Sequence, residues 1–423
     1  MQQHLYEECK RFLPREEGYL FLDATNVYFE KDYAVEGTLP QKGVSKEHRT
    51  EPIVQYGLVL DSNGLPLLSE AYPGNTSDCL LLRPLVAEVR KRNMASGRIV
   101  VVADKGLNSG KNIDDLCNAG DGFVFSQVLR GKKGKRYADR VFDDSLYTTN
   151  RSGTYKYQLF QETYAGKGPD GRPVSRQRLV LIYWSRADAE FARKKREMKV
   201  ARARKKMKNK VYAVCHKADE YLKETYVDIQ TGEILEPASV LSVDEEKIRE
   251  EERFDGYFCL ITSELDYSEQ KIRDVYHKLW RIEESFRIDK SDLDARPIYL
   301  HLDNRIRAHL LICHVALLFI RLLQRAMGAS RISAERIIRV FVNCVLDVPQ
   351  KGILHLHAVS EKLQFSSYVD CWGRLAYTKE LTGNDEVSQD FVLVCRALGI
   401  HLSNAYIRQE QFNSMVRKAI PLL

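Results

Sequence analysis

Apolar positions along the chain follow two periods. The runs Tyr19-Leu-Phe-Leu22 and Ile99-Val-Val-Val-Ala103 are short, β-branched or aromatic, and bounded by turn residues, which predicts buried strands. Pro52–Asp61 and Leu65–Tyr72 predict two more strands, joined by the hairpin signal Asp61-Ser-Asn-Gly64. Gly122–Val128 and Gly256–Thr262 complete the strand set of the core. A 3–4 spacing takes over at Ile272, Val275, Leu279, Ile282 and Phe286, predicting one amphipathic helix, capped by Ser268, that carries Tyr276 through Lys290. Further helices are predicted near Asn108–Asn118, from Pro84 to Arg92 behind the capping run Asn75-Thr-Ser-Asp78, and over Ile306–Met327. The apolar stretch Leu310–Leu323 is too short to span a bilayer and carries His314 and Arg321, so it predicts a buried core helix and no membrane association. A hairpin followed by alternating helices and strands predicts an α/β fold built on a mixed sheet.

These patterns divide the chain into a helical lead-in (1–18), the first part of a core (19–128), an insertion (129–253), the second part of the core (254–327) and a mainly helical C-terminal extension (328–423). The insertion predicts antiparallel strands around Tyr155–Thr163 and Arg178–Trp184, separated by the Gly/Pro-rich turn Gly166–Pro173. Arg193–Lys210 then carries eleven Lys and Arg against one acid, Glu197, and Asp244–Glu252 mirrors it in acids. Two readings stay open for the basic run: a helix following a DNA backbone, or one arm of a charge-balanced helical hairpin. Arg130-Gly-Lys-Lys-Gly-Lys-Arg136 predicts a basic loop whose glycines permit close approach, with Lys132, Lys133, Lys135 and Arg136 as phosphate contacts.

Composition narrows the class. Hydrophobic residues at 44% and charged residues at 29% describe a globular chain rather than a disordered one. The net charge of +7 is too mild to identify a polyanion partner by itself. Nine cysteines lie singly, with no C-x-x-C pair, which argues against zinc ribbons and a secreted disulfide framework and fits a reducing, cytoplasmic setting.

The candidate chemistry lies in three acids. Tyr276 and Lys290 each stand seven residues from Glu283, close to two helical turns, so the three share a helix face. Asp23 and Asp104 each end an apolar strand run, where ligand sites of open α/β sheets gather. Three carboxylates suit hard divalent cations, which want oxygen ligands. Among the neighbours, Trp280 is expected in the core, and Glu284 is expected to pair with a nearby Arg or Lys. Asp289, Asp292 and Asp294 are expected in solvent, Asn75 and Asp78 as caps, and His301 and His309 as ordinary surface or core histidines. An aspartyl-phosphate phosphatase would need a second Asp two residues after the first, where Thr25 stands.

The stretches Asp23-Ala-Thr25, Val101-Val-Ala-Asp104-Lys-Gly106 and Tyr276…Trp280-Arg-Ile-Glu283…Phe286-Arg287…Lys290 resemble the three acidic motifs of DDE transposases from bacterial insertion sequences. Gly74-Asn-Thr-Ser-Asp78, Phe254-Asp-Gly256 and Arg296-Pro-Ile-Tyr299 extend the likeness. The resemblance implies a ribonuclease H-like core interrupted by a β-rich insertion, and metal-dependent cleavage and transfer of DNA strands at element ends. It implies two Mg²⁺ ions, with Mn²⁺ as a substitute: Asp23 would bridge both, and Asp104 and Glu283 would each bind one. Tyr276 and Lys290 would contact phosphates. The family's Arg position holds Leu279 here, leaving Arg281 or Arg287 to supply that contact. The implied partners are double-stranded DNA, both terminal inverted repeats and target, with a homodimer assembled on it near the bacterial nucleoid. Only 22 residues precede Asp23, which raises the alternative of a truncated copy that binds DNA or a partner without cleaving.

Overall fold

The computed structural model describes residues 1–423 apart from 31, 33, 48–49, 209–221, 227–238, 344–345, 357–358, 370–374, 384, 401, 403–405 and 420–423. Helix α1 (Gln2–Phe12) leads into strand β1 (Tyr19–Tyr28), followed by the hairpin strands β2 (Ile53–Leu60) and β3 (Pro66–Pro73). Helix α2 (Leu82–Lys91), strand β4 (Val100–Ala103), helix α3 (Gly110–Asn118) and strand β5 (Gly122–Ser126) then alternate. The insertion contains one-turn helices α4 (Gly131–Gly134) and α5 (Ala138–Val141), then strands β6 (Thr148–Thr149), β7 (Tyr155–Lys167) and β8 (Pro173–Ser185). It continues through the basic helix α6 (Arg186–Lys208), strands β9 (Leu222–Tyr226) and β10 (Ser239–Val243), and the acidic helix α7 (Glu245–Glu252). Strand β11 (Tyr257–Thr262) precedes helices α8 (Glu269–His277), α9 (Trp280–Arg287) and α10 (Asp303–Met327). The C-terminal segment holds α11 (Ala334–Asn343), β12 (Leu346–Gln350), β13 (Ile353–Leu356), β14 (Val359–Val369), β15 (Leu375–Gly383), α12 (Glu386–Ala397), β16 (Tyr406–Arg408) and α13 (Gln409–Ala419). Strands thus share a segment expected to be mainly helical.

A nine-stranded mixed sheet runs in the order β3-β2-β1-β4-β5-β11-β8-β7-β6. Its centre is parallel, β1 with β4 and β4 with β5, and its flanks are antiparallel. The period-2 pattern sorts side chains to two faces. Phe21, Val100, Val102 and Val124 join Ile272, Val275, Leu279, Ile282 and Phe286 on one face. Leu20, Leu22, Val101, Ala103 and Phe123 join Leu85, Val89, Ile113 and Leu116 of α2 and α3 on the other. The expected apolar stripe of the acid-bearing helix is therefore its buried face.

Three features depart from the expectations. β1 does not stop at Asp23 but continues to Tyr28, because Thr25, Asn26 and Val27 stay paired to β2 after β4 has ended. The insertion strands form no separate unit: β8 pairs along β11, and β7 along β8, so the ribbon extends the core sheet. The basic run expected as a loop forms α4 and a tight turn over Lys135–Tyr137. At Gly134 a Cβ would lie 2.0 Å from the backbone of Leu129, so glycine is required there. The charged helices do pair, through Arg204–Glu245 (3.0 Å) and Arg196–Glu252 (3.3 Å), and Arg196 also pairs with Asp255 just beyond α7.

Helix α10 is long and apolar enough to cross a membrane, but more than half of its most apolar window is buried within the protein, as in a core helix. It buries His314, whose Nδ1 has no hydrogen-bond partner among the described residues. Burial, aided by the charges of Arg15 and Arg92, holds this imidazole down at about 3. An unfolded histidine takes up its proton near 6.5, whereas the folded one refuses it. This contribution to stability is therefore present above 6.5 and is lost progressively as pH falls toward 3. Urea denaturation at pH 7 and pH 5 is expected to show a larger loss of stability for the wild type than for His314→Gln; equal losses would contradict it.

Candidate active site

The sheet register builds the acidic centre. Leu22 pairs with Ala103, and Ala103 with Phe125, so the next residues along the three parallel strands, Asp23, Asp104 and Ser126, stand in a row. By alternation their side chains leave the sheet on the face covered by α8 and α9, as Phe21, Val102 and Val124 do. Asp104 Oδ1 accepts hydrogen bonds from Ser126 Oγ and from the Tyr276 hydroxyl, the latter at 3.1 Å. Where β4 stops, side chains occupy the free backbone groups of Ala24: its N–H donates to Asp23 Oδ1 at 2.7 Å, and its carbonyl accepts from Lys46 Nζ.

A returning loop brings Lys46. Gln41 bridges Ile53 through two backbone hydrogen bonds, of 2.9 and 3.1 Å. A Cβ on Gly43 would lie 2.3 Å from the Gly74 carbonyl oxygen, so only glycine allows this approach. Asn26 fixes the rest, donating to the Val44 carbonyl and accepting from the Lys46 N–H, each at 3.1 Å. Lys46 also pairs with Asp78 at 3.0 Å. Asp78 was expected as a cap, yet neither α2 nor the turn Asp78–Leu80 has a side-chain cap. It stands with Lys46 beside Asp23 instead, and the run Asn75-Thr-Ser-Asp78 was the available signal.

Electrostatics follow from this crowding. Burial raises the Asp23 carboxyl to about 6; Lys46 and the Ala24 N–H oppose the rise, while Asp104 and Asp78 add to it. Burial lowers the Lys290 ammonium to about 8, with Lys46 adding and Asp23 opposing. Lys290 Nζ donates to Glu47 at 3.1 Å, and Arg296 pairs with the same carboxylate. The Tyr276 phenol is pushed up, first by burial and then by the Asp104 charge.

The segment bearing Glu283 is not one continuous helix. Leu279, Arg281 and Ile282 donate their N–H groups three residues back, to Tyr276, Lys278 and Leu279, which overwinds the chain between α8 and α9. Beyond α9 the residues Ile288–Asp292 form a π turn, in which Leu293 N–H reaches back five residues to Ile288. One defect tightens and the other widens. Tyr276 thereby still reaches Asp104, and Lys290 still lies within the influence of Asp23. Glu283 lies between these two anchors on α9 and is exposed. Its carboxylate is not joined to either aspartate, and among the described residues no group of three His, Cys, Asp or Glu stands ready to hold a metal ion.

Other expected residues fall elsewhere. Trp280, assigned to the core, is 42% exposed, because α9 buries Ile282, Ser285 and Phe286 and turns Trp280, Glu283 and Arg287 outward. Asp289, expected in solvent, is buried, neither carboxyl oxygen has a hydrogen-bond partner among the described residues, and burial holds it well above the usual carboxylate range. Arg281 points away from the acids, to the β2–β3 turn, donating to the Ser62 carbonyl at 3.3 Å. Glu284 pairs with Arg321 at 2.8 Å and Arg331 at 3.3 Å. Lys135 is exposed, and Arg136 lies over the Tyr137 ring at 4.8 Å. The side chains of Lys132 and Lys133 lie outside the described residues. Lys46, Glu47 and Ser126 were not anticipated; none carries a local pattern that points to the site.

A cryo-EM structure of a piggyBac transposase synaptic complex with hairpin DNA is similar with a TM-score of 0.38 and 10% identity, over 77% of this chain and 51% of that one. The present chain therefore spans about half the length of that protein. No curated protein matches the chain in sequence. The family model described as "Transposase DDE domain" matches residues 15–319, which include Asp23, Asp104 and Glu283. The chain belongs to the transposase DDE-domain family.

Proposed function

We propose that this chain is a DNA transposase that cleaves and transfers strands at the ends of a mobile element, with Asp23, Asp104 and Glu283 as its acids and Mg²⁺ as its cofactor. The register that sets Asp23 beside Asp104, facing α8, α9 and the π turn that carry Tyr276, Glu283 and Lys290, carries the reading. The donor set suits a hard cation: oxygen ligands only, one of them a carboxyl forced toward its neutral form by burial and neighbouring acids. Asp23 and Asp104 would hold such an ion, with Glu283 as the third ligand. When bound, a pair of divalent ions activates the attacking oxygen and stabilises the leaving one in phosphodiester cleavage.

The chain's own groups do the rest. Lys46 and Lys290 set two positive charges beside the acids, where backbone phosphates of DNA need them. Tyr276 and Ser126 fix the Asp104 carboxylate by hydrogen bonds. Trp280 and Arg287, exposed with Glu283, present a flat ring and a cation to the same DNA.

The test is strand cleavage of duplex DNA carrying the inverted repeats that flank the gene, with Mg²⁺, with Mn²⁺ and with EDTA. Nicking at the repeat boundary with either metal and none with EDTA is expected; metal-independent cleavage, or none, would refute the reading. Lys290→Ala is expected to weaken duplex binding and to make the log K versus log[salt] slope shallower by about 0.9, the effect of one phosphate contact. An unchanged slope would remove Lys290 from the phosphate track.

A further inference from the structure

A second basic centre lies on the opposite side of α9. Two residues along a helix turn about 200°, so Arg281 leaves the helix away from Glu283. It enters a cleft of about 180 Å³ lined by Arg281, Arg321, Arg325, Arg331, Asn63 and Gly64. Glu284 is the carboxylate that meets these guanidiniums, pairing with Arg321 and Arg331. Nearby Asp61 is consumed by Arg15 at 2.6 Å. Arg281 and Arg325 have no acidic contact among the described residues, which leaves the cleft with four positive charges against one negative.

Two donors in its wall lack acceptors. Asn63 Nδ2 and Arg321 Nε are both buried and without a hydrogen-bond partner among the described residues. Burial and the Arg331 charge, with a smaller part from Arg325, make the Arg281 charge harder to hold, and Asp61 and Glu284 offset this only in part. Gly64 completes the wall at a φ of +80°, and a Cβ there would lie 2.8 Å from Arg281 Cδ. Any side chain at 64 would displace the guanidinium.

We infer that this cleft seats a backbone phosphate of duplex DNA, at a site separate from the acidic centre. The inference rests on the transposase reading for its choice of polyanion. Size supports the choice: about 180 Å³ accommodates a phosphate group but falls below the roughly 300 Å³ at which pockets for drug-sized small molecules begin. Arg325 and Arg331 form an open, exposed rim, across which a continuous backbone can run. Guanidiniums bind phosphate oxygens through paired N–H donors. Arg321 commits its terminal N–H groups to Glu284, Gln324, Ser285 Oγ (2.8 Å) and the Arg281 carbonyl (3.1 Å), so it holds the wall in place and leaves the phosphate to Arg281 and the rim arginines.

The experiment titrates a plain duplex onto the full chain in EDTA over a range of salt, so that binding is read without cleavage. Arg325→Ala/Arg331→Ala removes two exposed rim charges, of which, among the described residues, only Arg331 has an ion pair, to Glu284, and an exposed pair of this kind contributes little to folding. Asn63→Asp places a carboxylate in the mouth and leaves every arginine intact. Each is expected to weaken binding about tenfold and to make the salt slope shallower by about 0.9, with unchanged circular dichroism. Wild-type affinity and slope in both variants would overturn the inference. So would inorganic phosphate that raises the melting temperature of the wild type but not of the variants while duplex affinity stays equal, since the cleft would then take a free anion. A loss in Lys290→Ala without a loss in these variants sinks this site alone. Absence of duplex binding by the wild type sinks the transposase reading as well.

Discussion

Asp104→Asn is expected to yield a folded chain that has lost metal-dependent nicking by at least about a thousandfold, equivalent to roughly 4 kcal/mol of barrier. The amide keeps the shape of the side chain and can still meet Ser126 and Tyr276, but it removes the charge that a divalent ion requires. Asp23→Asn is expected to lose nicking as deeply and to gain stability. The Asp23 carboxyl titrates near 6 because charging it in that crowded position is unfavourable. Its folded value lies above the unfolded one, so the penalty appears as pH rises through 6, and the neutral amide escapes it. A higher melting temperature at pH 7.5 with dead chemistry is the combined signature. Glu283→Gln separates the roles further. If it nicks like the wild type while Asp104→Asn is inactive, Glu283 leaves the acid set.

Arg15→Ala is expected to be the most destabilising single change, by about 3–5 kcal/mol, since it strands Asp61 as a buried charge. Both side chains are fully buried, and Arg15 Nε approaches Asp61 Oδ2 to 2.6 Å as an ion pair rather than an aligned hydrogen bond. Arg15 also donates to the Pro66 carbonyl at 3.1 Å, while Asp61 accepts from the N–H groups of Asn63 and Leu65. The pair therefore ties the entry to β1 to the β2–β3 turn. Arg15→Leu/Asp61→Asn removes both charges and is expected to be milder than Arg15→Ala alone. Urea denaturation curves that rank them in the opposite order would show that the pair contributes nothing through its charge.

Much of this arrangement was legible in the residues, for physical reasons. The run Ile99–Ala103 is apolar on both faces because β4 lies between two covered faces, and Asp104 follows it at once. The stripe Ile272, Val275, Leu279, Ile282 and Phe286 reported a buried face correctly. A stripe cannot report hydrogen-bond pattern, however, so the overwound turn before α9 and the π turn after it were hidden. Trp280 and Asp289 misled because side-chain type was weighed above position: the ring projects from the outer face of α9, and the acid turns inward with the π turn. Lys46 and Glu47 reach the centre through a loop held by the Gly43–Gly74 contact, a long-range event with no local pattern. Asp78 was visible, but a capping reading absorbed it.

The continuity of the sheet through the insertion limits how the protein can be shortened. β11 is hydrogen-bonded to β5 on one side and to β8 on the other. Excising 129–253 would leave the outer side of β11 bare, an unsatisfied row of backbone groups open to other chains. A minimal version must retain the β7–β8 ribbon as a border for β11, whereas the α6–α7 arms beyond it can be trimmed back. The ribbon is therefore part of the wall, and only the arms are an attachment.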